Sequence, residues 1–141
     1  MMRNMVAVVA GLGLIFGLIG CGGGKYSDII EVNRQFLKLM SNYVEAVDKV
    51  DSADEAAKAI NDLADDMEEL APEMKAIQKK YPDLADAEEL PEELQVTEEE
   101  METVGQEFGN SFMKLTPYMS DQKVQQAQQR LSRVMSTLGE E

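Results

Sequence analysis

From Ser27 onward, apolar residues recur every three or four positions, and no stretch alternates in the way a strand would. Ile29, Val32, Phe36, Met40, Tyr43, Val47 and Val50 form the first stripe, widened on one side by Ile30, Leu37 and Val44. A stripe of that breadth suits a helix of a globular bundle better than the narrow seam of a two-stranded coiled coil. It predicts a helix over 27–50. A second stripe, Ala56, Ile60, Leu63, Met67, Leu70, Met74, Ile77 and Tyr81, predicts a helix over 53–81. Ser52 and Glu55 precede it at capping-box spacing, where each side chain satisfies an orphan amide of the first turn. Pro72 lies inside this stripe, but the phase runs on unbroken, which predicts a kink and not a break. Pro82 ends the helix by biasing Tyr81 away from helical geometry.

Residues 82–96 then read as an acidic linker holding Pro82 and Pro91, with a short helical turn between Asp86 and Leu94. Thr97 and Glu100 repeat the capping-box spacing, with Val96 and Met101 placed as a staple, and predict a third helix over 98–115. Its stripe is Met101, Val104, Phe108, Phe112 and Leu115. Gly105 and Gly109, four apart, either mark a side where another helix can approach closely or simply weaken the helix. Thr116-Pro117 interrupts the pattern, and Ser120 caps a fourth helix over 121–138, with Met119 and Val124 as its staple pair. Val124, Ala127, Leu131, Val134 and Leu138 form its stripe, and Gly139 stands just past its end. The expected fold is all-α, an antiparallel four-helix bundle. The alternative has three long helices, the third broken at Pro117. No fixed-period repeat points to a solenoid.

The first twenty residues are different in kind. They carry one base, Arg3, and no acid, and Met5–Ile19 is an almost continuous apolar and glycine run. Such a run follows the n-region and h-region order of a signal peptide. Fifteen residues rise about 22 Å as a helix, short of the roughly 30 Å hydrocarbon core. Leu18-Ile19-Gly20-Cys21 resembles the bacterial lipobox, and Cys21 is the single cysteine of the chain. The resemblance implies cleavage between Gly20 and Cys21 and a diacylglyceryl group on the Cys21 sulfur. Residues 21–26 then form a lipidated, glycine-rich tether, of which Gly22 to Lys25 reaches at most about 14 Å. Gly22 in place of aspartate resembles the default for outer-membrane sorting, so in a Gram-negative envelope the protein is expected on that membrane, facing the periplasm. With its lipobox, glycine tether and capped, Ala-rich second helix, the chain resembles small helical envelope lipoproteins, a likeness that brings no activity with it.

Charge narrows the partners. All 27 acids and all but one of the 13 bases lie beyond residue 20, giving that part a formal charge of −15. Nucleic acid is therefore not an expected partner, since phosphate contacts need clustered Lys and Arg. Anionic head groups should repel this body, which leaves the lipid on Cys21 to hold it at a membrane. From Lys80 to Lys114 there is no base, and eleven acids run from Asp83 to Glu107. A basic protein or peptide is the partner such a surface fits.

The chemistry-bearing groups give little. With one cysteine, no intramolecular disulfide can form. No histidine is present, which removes the commonest general base and transition-metal ligand. The seven methionines beyond the signal segment fall mostly on apolar stripes and make no M-x-M or M-x-x-M cluster, so they read as core and not as a copper site. The acidic run lacks the loop pattern of a calcium site. Asp65-Asp66 and Glu68-Glu69 are sequence neighbours that cannot share a helix face, so they read as surface. The helix pattern loosely resembles periplasmic four-helix haem cytochromes, but their methionine and histidine ligands have no counterpart here and no cofactor or metal is expected. The expected function is that of a lipid-anchored envelope protein, a non-enzymatic interaction or structural bundle. A small-ligand carrier with an apolar pocket is the alternative, and an enzyme using carboxylates alone comes last.

Overall fold

The computed structural model describes residues 24–139, so the expected signal peptide, Gly20 and Cys21 lie outside the described residues. The chain forms α1 (Ser27–Asp48), α2 (Ala53–Lys80), a one-turn α3 (Pro82–Ala85), α4 (Glu92–Lys114), a 3-10 turn (Thr116–Tyr118) and α5 (Gln122–Gly139). This is the all-α architecture with four main helices, successive ones antiparallel. Pro117 sits in the 3-10 turn that separates α4 from α5, which decides against three long helices. α2 continues through Pro72, whose ring is on the exposed side of the helix.

The core follows the stripes. Ile29 and Val32 of α1, Ile60, Met67 and Met74 of α2, Leu94 and Leu115 of the α4 layer, and Val124 and Leu138 of α5 are all fully buried. The cross-links between helices fix their directions. Near the start of both helices, Asn33 of α1 meets Thr97 of α4, and near their ends Asp48 meets Lys114. Between them, the rings of Tyr43 and Phe108 lie 5.1 Å apart. α1 and α4 therefore run side by side in the same direction. α2 and α5 do likewise, with Asp54 bonded to Lys123 at 2.5 Å and Asp65 and Glu68 to Arg130 at 2.5 and 2.8 Å. The molecule is thus two antiparallel hairpins, α1–α2 and α4–α5, stacked with like helices together. α1·α4 and α2·α5 are the most extensive interfaces, α1·α2 comes next, and α4 approaches α5 much less closely.

Local signals mostly act as expected. Ser52 Oγ accepts from the Glu55 amide at 3.3 Å, while the Glu55 carboxylate accepts from the Asp51 amide, one residue before the expected partner. Two starts differ from the sequence reading. α4 begins at Glu92, not 98, with Pro91 in the N-cap position and Glu92 and Glu93 in the first turn, where carboxylates favour the helix dipole. The linker shrinks accordingly, and its helical turn is at 82–85. Thr97 is then inside the helix and not its cap: it is buried, and its hydroxyl donates to the Leu94 carbonyl at 2.9 Å. At α5, Asp121 and not Ser120 supplies the cap, accepting from the Lys123 amide at 2.8 Å. Gly139 is the last residue of α5 and not the one beyond it.

Candidate functional site

The chain enters the fold at a pinned end. The Ser27 amide donates to the Gly24 carbonyl at 3.2 Å, and the Tyr81 hydroxyl lies within hydrogen-bond distance of the Lys25 carbonyl and of Asp28. Tyr26 packs against Tyr81 with ring centroids 5.6 Å apart, and the Lys25 and Lys80 ammonium groups lie over those two rings at about 5 Å. Burial works against ionisation of Asp28, but bonds from Lys80, Tyr81 and the Ile29 amide outweigh it and hold its carboxyl below the usual range. A β-carbon built on Gly24 would lie 3.1 Å from the Glu93 carboxylate, so the start of α1 also lies beside the start of α4.

The remaining ion pairs divide the molecule in two. Lys80, Lys114, Lys123 and Arg130 each reach an acid on another helix, and every such acid belongs to α1 or α2. The eleven acids from Asp83 to Glu107 are all exposed, and no ion pair among the described residues reaches one of them. The interhelical ion pairs all compensate acids of α1 and α2, and none among the described residues compensates the acids of the linker and α4.

A second acidic feature was not anticipated from sequence. An open groove of about 460 Å³ runs between α1 and α2, with Glu31, Gln35 and Asn42 on one wall and Asp66, Glu69 and Glu73 on the other. Leu39 and Leu70 are apolar contributors, and Lys38 is the base at its edge. Partial burial, then the carboxylates of Asp62, Glu69 and Asp65, push Asp66 above its usual value. Burial and Glu69 do the same to Glu73. Asp65 and Glu68 point instead to Arg130, so the adjacent acid pairs diverge as helix geometry requires. The groove favours a positive charge, but no cluster of three or more acids, cysteines or histidines among the described residues is placed to hold a metal ion.

Thr97, Thr103, Ser111, Ser136 and Thr137 each donate a hydroxyl to a carbonyl of their own helix. The methionines split: Met67 and Met74 are core, whereas Met113 is 71% exposed and Met135 38%. Phe112, expected in the core, is 47% exposed. Among the described residues Gly105 and Gly109 support no close approach, since nothing lies within 4 Å of a β-carbon built on either. No helix among the described residues is long and apolar enough to cross a membrane. No protein-family model, curated protein or solved structure matches this chain.

Proposed function

We propose that this protein is a lipid-anchored component of a bacterial cell envelope, tethered through Cys21, whose helical domain docks a basic partner and carries out no reaction of its own. The observation that carries the docking part is the segregation of charge: eleven exposed acids on the linker and α4 with no ion-pair partner, in a fold whose interhelical bases are all committed to α1 and α2. Rim charges of one sign accelerate encounter with an oppositely charged surface and repel like surfaces. The anchoring part is supported by the lipobox-like Leu18-Ile19-Gly20-Cys21 and by a chain that enters the bundle three residues after Cys21, at one end and not along a side.

Two measurements test it. Cys21→Ser should abolish labelling by a radioactive or clickable fatty acid and leave the chain unprocessed. Continued labelling of that variant would remove the anchor. Capture with the domain from Lys25 onward should recover a basic protein at low salt and lose it at high salt. A small-ligand carrier remains the second reading because of the α1–α2 groove, although acidic walls suit a cationic ligand and not the apolar one expected from sequence. Native mass spectrometry of protein taken from its own cells separates the two, a uniformly bare mass excluding a retained ligand.

A further inference from the structure

The stack of hairpins leaves one seam unfilled. α1 lies against α4 and α2, and α2 against α1 and α5, while α4 and α5 touch each other little. On α4, Thr97 and Lys114 mark the side that faces α1. Rotating about 100° per residue from that side brings Met101, Gly105 and Phe112 round toward α5, with Phe108, whose ring meets Tyr43 of α1, at the floor between. On α5, Lys123 and Arg130 mark the side that faces α2, and the same rotation brings Leu131 and Met135 toward α4. Phe112 and Met135, two of the large apolar side chains left exposed, therefore belong to one trough, with Met101, Phe108 and Leu131 half-buried along it. Gly105 adds open space above its backbone. An apolar face this continuous on a small protein marks an interaction site.

Its two rims differ. On the α4 side stand Glu98 and Glu102, exposed and without an ion pair; on the α5 side stand Gln125 and Ser132, exposed and uncharged. The geometry points to one kind of occupant: an amphipathic helix of another protein, with an apolar stripe and a row of Lys or Arg along one flank. The trough residues at 101, 105, 108 and 112 have the spacing that receives helical anchors at i, i+3, i+4 and i+7. The acidic rim selects the charged flank and sets its direction. A second copy of this chain fits poorly, because its own α4 carries seven glutamates and one lysine. The inference rests on the docking function proposed above and assigns it a place and a ligand class.

The test uses the full chain in cells that make it. A photo-crosslinking amino acid replaces Phe112, Met135 or, as a control on the far side, Lys58 of α2. The expected result is one adduct shared by the 112 and 135 positions, whose crosslinked segment is basic and has helical apolar spacing. Glu98→Lys with Glu102→Lys should then lower that yield by about tenfold, since reversed rim charges act on encounter. Adducts to lipid or to a second copy, or a crosslinked segment that is acidic or lacks the apolar spacing, would overturn the assignment. An adduct at Lys58 with none at 112 or 135 would overturn the seam while leaving a docking protein. No adduct at any of the three positions would overturn both.

Discussion

Asn33 offers a quantitative test of how α1 and α4 are held together. It is 3% exposed in that interface; its side-chain amide donates to Thr97 Oγ at 3.0 Å, and its Oδ1 has no partner. Asn33→Leu keeps the branching of the side chain, while its two methyl groups are bulkier than the amide oxygen and nitrogen, so some overpacking offsets the gain from removing the amide. It forfeits one neutral hydrogen bond, worth about 0.5–1.5 kcal/mol net. It also removes a buried acceptor that costs about 1–3 kcal/mol while unpaired. Thr97 keeps its bond to the Leu94 carbonyl, so no new orphan donor appears. The balance is a stabilisation of at most about 1 kcal/mol, which for a domain of this size raises the melting temperature by no more than about 3–6 °C. Asn33→Asp should do the opposite, because burying an ionised carboxylate costs far more than burying an amide. Circular dichroism melts of both variants beside the wild type are sufficient. If Asn33→Leu melts below the wild type, Oδ1 is satisfied in solution and the Asn33–Thr97 pair is a net stabiliser, which refutes the reasoning.

Three further outcomes follow from the packing and charge. Leu63→Ala, 3% exposed in the α2 stripe, should cost about 2–5 kcal/mol by denaturant unfolding; an unchanged midpoint would remove it from the core. Glu99→Ala, on the uncompensated face of α4, should leave stability unchanged or raise it by relieving like-charge repulsion, and a loss above about 1 kcal/mol would mean that Glu99 has a partner. Stability should rise slightly as pH falls from neutral toward the raised values of Asp66 and Glu73, because the fold penalises their ionised forms and protonation lifts that penalty. Below pH 3.8 it should fall, because the lowered carboxyl of Asp28 contributes fully above its unfolded value and loses that contribution as pH drops through its folded one. A monotonic decline from pH 7 to 3 in thermal melts would contradict the first of these two limbs.

Periodicity was enough to read the helices, because burying one face of a helix imposes a 3.6-residue rhythm that α1, α2 and α5 obey closely. The start of α4 was harder. Thr97 has the chemistry of a cap, and only the tertiary contact with Asn33 shows that the same hydroxyl can serve inside a helix by bonding the carbonyl three residues back. Phe112 was misplaced for a related reason. Its position on the stripe is right, but whether a stripe position is covered depends on how near the next helix comes, and α4 and α5 touch each other little. Chain connectivity predicts antiparallel neighbours, yet it does not say that the broadest interfaces join helices of like direction. The acidic groove was hidden because Glu31 and Asp66 are 35 positions apart and only the α1–α2 hairpin brings them together. The unpaired acids of the linker and α4 were legible directly, since no base lies between Lys80 and Lys114.

The pinned start of α1 also decides how the domain answers a mechanical load. A pull transmitted through residue 24 enters α1 at one end and acts along its axis. That axis lies between α4 and α2, so sliding α1 strains the Asn33–Thr97 bond, the Asp48–Lys114 pair and the apolar contacts of both interfaces at the same time. Loading in shear spreads force over the whole helix length, whereas peeling would concentrate it on one contact after another. α4 takes up part of that load through its contacts with α1, whereas α5 is reached only through α2. α5, which shares no extensive interface with α1, is thus the helix least strained when a load is applied through residue 24.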